Sequence, residues 1–138
     1  MKTKAVVAPL LGWLVPGLGH FVQKKYLRGI IFFVSISAMT AMGLAMGGKI
    51  YPFYIEKPET IFQVFTNLFK KENPLTLLAF FADLGNLLVY LASRVLHFGQ
   101  GALERMTFEF GTAYIAGASL LNYLVALDAH DIAVGKKK

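Results

Sequence analysis

Cysteine is missing from the 138 residues. Its absence excludes disulfide bonds, thiol nucleophiles, thiolate metal sites and covalently attached haem. Charge is scarce as well: 16% of the residues are Asp, Glu, Lys or Arg, against about 25% in an average soluble chain. The spacings that mark common catalytic sites are missing too, with no G-x-S-x-G, H-E-x-x-H or G-x-x-x-x-G-K run. Pro16-Gly-Leu-Gly19 is glycine-rich, but it lacks the strand and helix that would make it a phosphate cradle. These absences point away from an enzyme, and they imply no cofactor and no metal.

Apolar residues dominate, at 56% of the chain with a mean hydropathy of +0.55. Four stretches, 5–22, 29–47, 74–95 and 108–127, each approach the roughly 20 apolar residues that a transmembrane helix needs. Of 14 basic and 8 acidic residues, only Asp83, Arg94 and Glu109 fall inside them. Such segregation marks a polytopic membrane protein and not a greasy soluble one. The expected fold is therefore all-α integral membrane, one domain over 1–138 with four transmembrane helices. An interfacial amphipathic helix is expected at 59–72, where Ile61, Phe62, Phe65, Leu68 and Phe69 recur at helical spacing opposite Gln63, Asn67, Lys70 and Lys71.

The four stretches are not equivalent. The first holds Pro9, Gly12, Pro16, Gly17 and Gly19, which predicts a kinked or re-entrant helix with its weak point at Pro16-Gly17. In the second, Gly43 and Gly47 form a small-xxx-small pair suited to close helix approach. The third carries Thr76, Asp83, Asn86, Tyr90, Ser93 and His97 at intervals of three, four or seven, which on one continuous helix makes a polar stripe. Asp83 would lie about 13 Å into the bilayer. An ionisable group at that depth is a functional candidate by default. Hydrogen bonding between helices is the simpler role, because Ser37, Thr40, Ser119 and Asn122 fall at comparable depth.

The span ends suggest two more clusters. His20, Lys24, Lys25, Arg28 and Glu109 should gather at one membrane face, as an anionic headgroup site or as ion pairs. Asp128 and Asp131 sit at the end of the fourth span, where acids oppose the helix dipole. They need a partner: Lys49, a terminal lysine or another subunit. The net charge of +6 is explained by basic residues at span ends, and basic and aromatic residues are not interleaved as nucleic-acid binding would require. With four crossings the termini share a side with Lys2, Lys4, Lys49, Lys57, Lys70, Lys71 and the last three lysines. That balance favours cytoplasmic termini, although the basic link after the first span argues the other way.

Two stretches carry a resemblance. Trp13-Leu-Val-Pro-Gly-Leu-Gly-His-Phe21 followed by Arg28-Gly-Ile-Ile-Phe-Phe33 resembles the helical hairpin of the TM-two type domain. Phe108-Glu-Phe-Gly111, Leu121-Asn122, Leu127-Asp-Ala-His-Asp-Ile-Ala133 and Gly135-Lys136 are similar to the end of a group of uncharacterised bacterial multi-pass membrane proteins that begin with the same hairpin. The chain departs from the TM-two pattern after His20, where Phe21-Val-Gln-Lys24 stands in place of F-Y-L-G. The resemblance implies a bacterial inner-membrane location and brings no catalytic residues. The functional expectation is a non-catalytic scaffold or accessory subunit in contact with anionic lipids and with other membrane subunits or itself. The alternative is a small transporter or lipid-binding protein using the stripe around Asp83.

Overall fold

A computed structural model describes residues 2–51 and 74–138; the surface helix expected at 59–72 lies outside them. The described residues form six helices: α1 (Lys2–Leu14), α2 (Leu18–Val22), α3 (Tyr26–Ala45), α4 (Pro74–Asp83), α5 (Leu87–Leu96) and α6 (Phe108–Val134). Two of them, α3 and α6, are long and apolar enough to cross a membrane, and α4 with α5 would make a third crossing if the bent pair counts as one span. The 20 residues of α3 and 27 of α6 extend about 30 and 40 Å at 1.5 Å per residue.

These two helices run antiparallel. Arg28 at the start of α3 donates to the Lys138 carbonyl (3.0 Å), while Gly43 near its end packs on Gly111 and Ile115. Between them lies the apolar core of Ile36, Ala118 and Val125, flanked by Phe32, Met39 and Leu121. The expected Gly43/Gly47 pair divides. Gly43 serves the α3–α6 contact, whereas Gly47 lies beyond the helix in a turn with φ 81°. Arg105 and Thr107 donate to the Ala45 and Met46 carbonyls, both at 2.8 Å, and so cap the otherwise open C-terminus of α3.

The first apolar stretch is not one continuous helix. α1 has 13 residues, about 20 Å, against a hydrocarbon core of about 30 Å. It runs antiparallel to α6: Gly19 sits between Ala8 and Ala129, Gly12 faces Ala126, and Trp13 bonds Asn122. At Val15-Pro16-Gly17 the chain turns back. Pro16 disfavours helical backbone at Val15, and Gly17 takes φ 80° with its α-carbon against the Gly29 carbonyl, where a Cβ would collide. The short α2 then returns to the end from which α1 began, and Gln23 there donates to the Ala129 carbonyl at 2.7 Å. The sequence allowed a kinked or re-entrant helix; the structure breaks it at the expected Pro16-Gly17 and folds α2 back along α1, with Gly19 beside Ala8.

The third stretch also departs from a continuous helix. α4 and α5 meet at a 107° bend across Leu84-Gly85-Asn86. Gly85 lies so close to the Ser119 carbonyl that no side chain fits. The fourth is longer than the expected 108–127 and continues to Val134.

Burial is inverted relative to a water-soluble domain. Among the described residues, seven buried side chains are polar or charged and eight are apolar. Meanwhile Leu27 (74% exposed), Leu78 (67%), Leu124 (62%) and Val95 (76%) face outward. In water such a surface is a liability; against lipid it is the low-energy arrangement.

Candidate functional site

Asn122 stands at the middle of α6, fourteen residues from Phe108 and twelve from Val134. Its side chain is fully buried, and its amide donates twice, to the Trp13 carbonyl at 3.1 Å and the Gly85 carbonyl at 2.9 Å. One of these belongs to the α1–α2 turn and the other to the α4–α5 bend. The Trp13 indole N–H donates to the Leu84 carbonyl (2.9 Å), joining the two breaks directly. The Tyr123 hydroxyl donates to the Phe81 carbonyl at 2.9 Å. The physical reason is general: an interrupted helix frees backbone carbonyls, and within a bilayer only protein can satisfy them.

Asp83, last residue of α4 and 3% exposed, serves the same purpose. One carboxylate oxygen accepts the Tyr51 backbone N–H at 2.8 Å. That bond holds the segment leaving α3, which is also fixed by Lys49 N–H to Thr112 Oγ1 (3.0 Å) and Ile50 N–H to the Gly99 carbonyl (2.8 Å). Among the described residues, the second oxygen, Asp83 Oδ1, has no hydrogen-bond partner, and neither do Asn86 Oδ1 and Asn122 Oδ1. Three acceptors without donors therefore lie on or beside the same break.

The expected stripe is not one face of one helix. Asp83 ends α4, Asn86 precedes α5, Tyr90 and Ser93 lie within α5, and Thr76 is on α4. Ser93 turns its hydroxyl back onto the Tyr90 carbonyl (2.7 Å), and His97 is exposed at the end of α5 with φ 55°. The bend at Gly85-Asn86 divides the series and leaves Asp83 and Asn86 buried at the break, facing the buried Asn122 of α6 across Gly85. Of the partners anticipated for Asp83, Thr40 bonds its own helix at Ile36 (2.9 Å), and Asn122 spends both donors on carbonyls.

The second expected cluster is split between the two ends of the molecule. His20, Lys24, Lys25 and Arg28 lie at the C-terminal end of α6, whereas Glu109 is in its first turn. The re-entrant turn is the reason, since it brings the basic link back to the side of the termini. His20 is completely buried; its Nε2 lies 3.0 Å from Asp128 Oδ2, and its ring is 5.1 Å from that of Phe32. Lys137 completes the group with Nζ 2.8 Å from Asp128 Oδ1. Asp128 thus has a terminal lysine as partner and, unexpectedly, a histidine; Lys49 is at the other end. Asp131 lies 3.7 Å from the neighbouring His130, and its carbonyl accepts the Lys136 and Lys137 N–H groups, closing the helix end. Among the described residues no three His, Asp or Glu side chains are placed to hold a metal.

A family of unknown function, DUF6677, is described by a model that matches residues 7–138. The chain belongs to that family. No curated protein and no solved structure matches it. For this DUF6677 member the match takes in both helix breaks, Asn122 and the Asp128 cluster, so one family pattern spans the whole constellation. Trp13, Leu84 and Gly85 escaped sequence reasoning because all three act through carbonyls, which any residue carries. The legible signal was the pair of glycine-containing breaks opposite a lone mid-span asparagine.

Proposed function

We propose that this chain is a non-catalytic scaffold or accessory subunit of the bacterial inner membrane. In this reading all four apolar stretches lie in the bilayer: the second and fourth cross in full, the third is bent and the first re-enters. What supports it is how the buried polar groups are used. Asn122 satisfies backbone carbonyls at two helix breaks and Asp83 satisfies the Tyr51 N–H of the segment leaving α3, and so they rigidify an interior without lining a passage through it. Lys4, Lys24, Lys25, Arg28, Lys136, Lys137 and Lys138 share one end with Lys2, while Lys49, Arg94 and Arg105 lie toward the other. This division favours cytoplasmic termini and gives the basic end an affinity for anionic lipid, with no role for nucleic acid. The test is purification in mild detergent followed by native mass spectrometry. A stoichiometric protein partner, or a second copy, supports the reading; a lone chain with no protein attached overturns it.

A second reading, a lipid-binding protein or small transporter, is favoured by one observation. A cavity of about 310 Å³ lies between α3 and α5 and reaches Asn86 and Pro16. Asp83 is not in its wall, so the polar path through Asp83 loses support and lipid binding gains it.

A further inference from the structure

The 310 Å³ cavity is a slot with a mouth. Along α3 its wall runs from Phe33 to Leu44, eleven residues or about 16 Å, which is roughly half of a 30 Å hydrocarbon core. The opposite wall is Leu88, Val89 and Ala92 of α5. It therefore has the depth of one leaflet and an almost wholly apolar lining.

Leu44 and Phe98 also belong to the wall of a second, open cavity of about 720 Å³ beyond the end of α5. The two spaces adjoin at these residues. The chemistry of the second is different. Gly47, Gly99 and Gly101, all with positive φ, form its rim without side chains, and Arg105 and His97 line it. One N–H of the Arg105 guanidinium caps Ala45, so the rest of the fork remains for a ligand. Among the described residues, no acidic side chain lines either cavity. A fork of this kind matches the oxygens of a phosphate.

We infer that the adjoining cavities form a binding site for a single anionic phospholipid of the leaflet opposite the termini, its acyl chain in the α3–α5 slot and its phosphate over Arg105. The inference deepens the lipid-binding reading and rests on it. It differs from the basic end, where diffuse attraction to headgroups needs no pocket.

The experiment uses the full chain, purified, delipidated and reloaded from detergent micelles containing equal phosphatidylglycerol and phosphatidylcholine, with bound lipid counted by native mass spectrometry. Retention of one phosphatidylglycerol in preference to phosphatidylcholine is expected. Arg105→Gln keeps a donor for the Ala45 carbonyl but removes the charge, and should weaken retention about tenfold or more. Ala41→Phe fills the slot and should abolish retention, while Lys24→Ala at the other end leaves it unchanged. Helical circular dichroism and Trp13 emission verify that each variant is folded. Equal retention of both lipids, lost on Ala41→Phe, overturns the anionic site and spares the lipid-binding reading. No retained lipid, or retention indifferent to Ala41→Phe, overturns both. Glycerol phosphate binding as tightly as the intact lipid would show that the slot holds no chain and would also overturn the inference.

Discussion

Truncating Asn122 to alanine removes the two hydrogen bonds by which α6 holds both helix breaks. The carbonyls of Trp13 and Gly85 are then left facing an apolar interior. An orphaned buried acceptor costs about 1–3 kcal/mol, whereas interhelical side-chain hydrogen bonds in a membrane protein have averaged about 0.6 kcal/mol and reached about 1.7. The lower value applies where the groups find other partners after the change. Here they cannot, because the two carbonyls sit at half-helix ends and the residue between them is fully buried. The expected loss is therefore about 2–4 kcal/mol, including the small void. Unfolding of the detergent-solubilised chain, followed by fluorescence, measures it directly. Trp13 is the single tryptophan and its indole N–H is bonded inside the node at Leu84, so its emission should also shift to the red. Leu124→Ala on the lipid-facing side, 62% exposed, is the control and should change stability by less than about 0.5 kcal/mol. If Asn122→Ala costs under about 1 kcal/mol and leaves the emission unchanged, the node does not hold the breaks together and the reasoning fails.

Gly17→Ala and Gly135→Ala separate conformational strain from collision. Both glycines have φ above +80° or at it, a cost of about 1–2 kcal/mol for alanine, but only Gly17 would also drive a Cβ into the Gly29 carbonyl, Gly135 having open space. Thermal unfolding should show Gly17→Ala to be the more damaging by at least about 2 kcal/mol; equal effects would refute the tight turn. Asp128→Ala strands the buried His20 Nε2 and should cost about 1–3 kcal/mol, read from denaturant midpoints. The hydrogen bond to Asp128 holds the Lys137 ammonium above the ordinary lysine range, so its contribution is present at neutral pH and lost only as pH climbs past that raised value. Because Lys137 is exposed, that contribution is small, and Lys137→Ala should lower the neutral-pH midpoint far less than Asp128→Ala does. Finally, the cysteine-free chain suits labelling with a membrane-impermeant maleimide in oriented vesicles. Single cysteines at Lys24 and Lys137 should react from one side and a cysteine at Glu104 from the other, and reaction of positions 24 and 137 from opposite sides would rule out the re-entrant first hairpin.

The sequence displayed the class of the fold through its charge segregation, because solvent sets that pattern and solvent acts on every residue alike. It also marked Pro16-Gly17 as a weak point, a poor helix interior whatever surrounds it, but not the break at Gly85, which falls inside the stripe expected on one continuous helix. What it could not display was the consequence of a break. Whether Val15 to Gly17 bends a helix or reverses it depends on tertiary neighbours such as the Gly29 carbonyl, and that single outcome decides which face receives Lys24, Lys25 and Arg28. The placing of Glu109 beside them, and of Asp128 without His20, both followed from reading the first stretch as one continuous helix. The polar stripe failed for a related reason, since a helical face exists only while the helix continues, and this one ends at Asp83.

The two breaks explain each other. A lone interrupted helix in a bilayer would leave its freed carbonyls unsatisfied at a cost of several kcal/mol. Two interruptions brought to one level can share a single donor residue and can bond each other, as Trp13 does with Leu84. The arrangement then requires an asparagine, with two N–H donors on one short side chain, at the middle of the spanning helix that both touch. It also requires that no bulky group separate the three backbones, which is why Gly85 lies against Ser119 and Gly12 against Ala126. The geometry of two chain reversals is thus enough to account for Asn122. The unpaired oxygens of Asp83, Asn86 and Asn122 follow from the same cause: residues chosen for the donors and bonds they supply bring surplus acceptors with them.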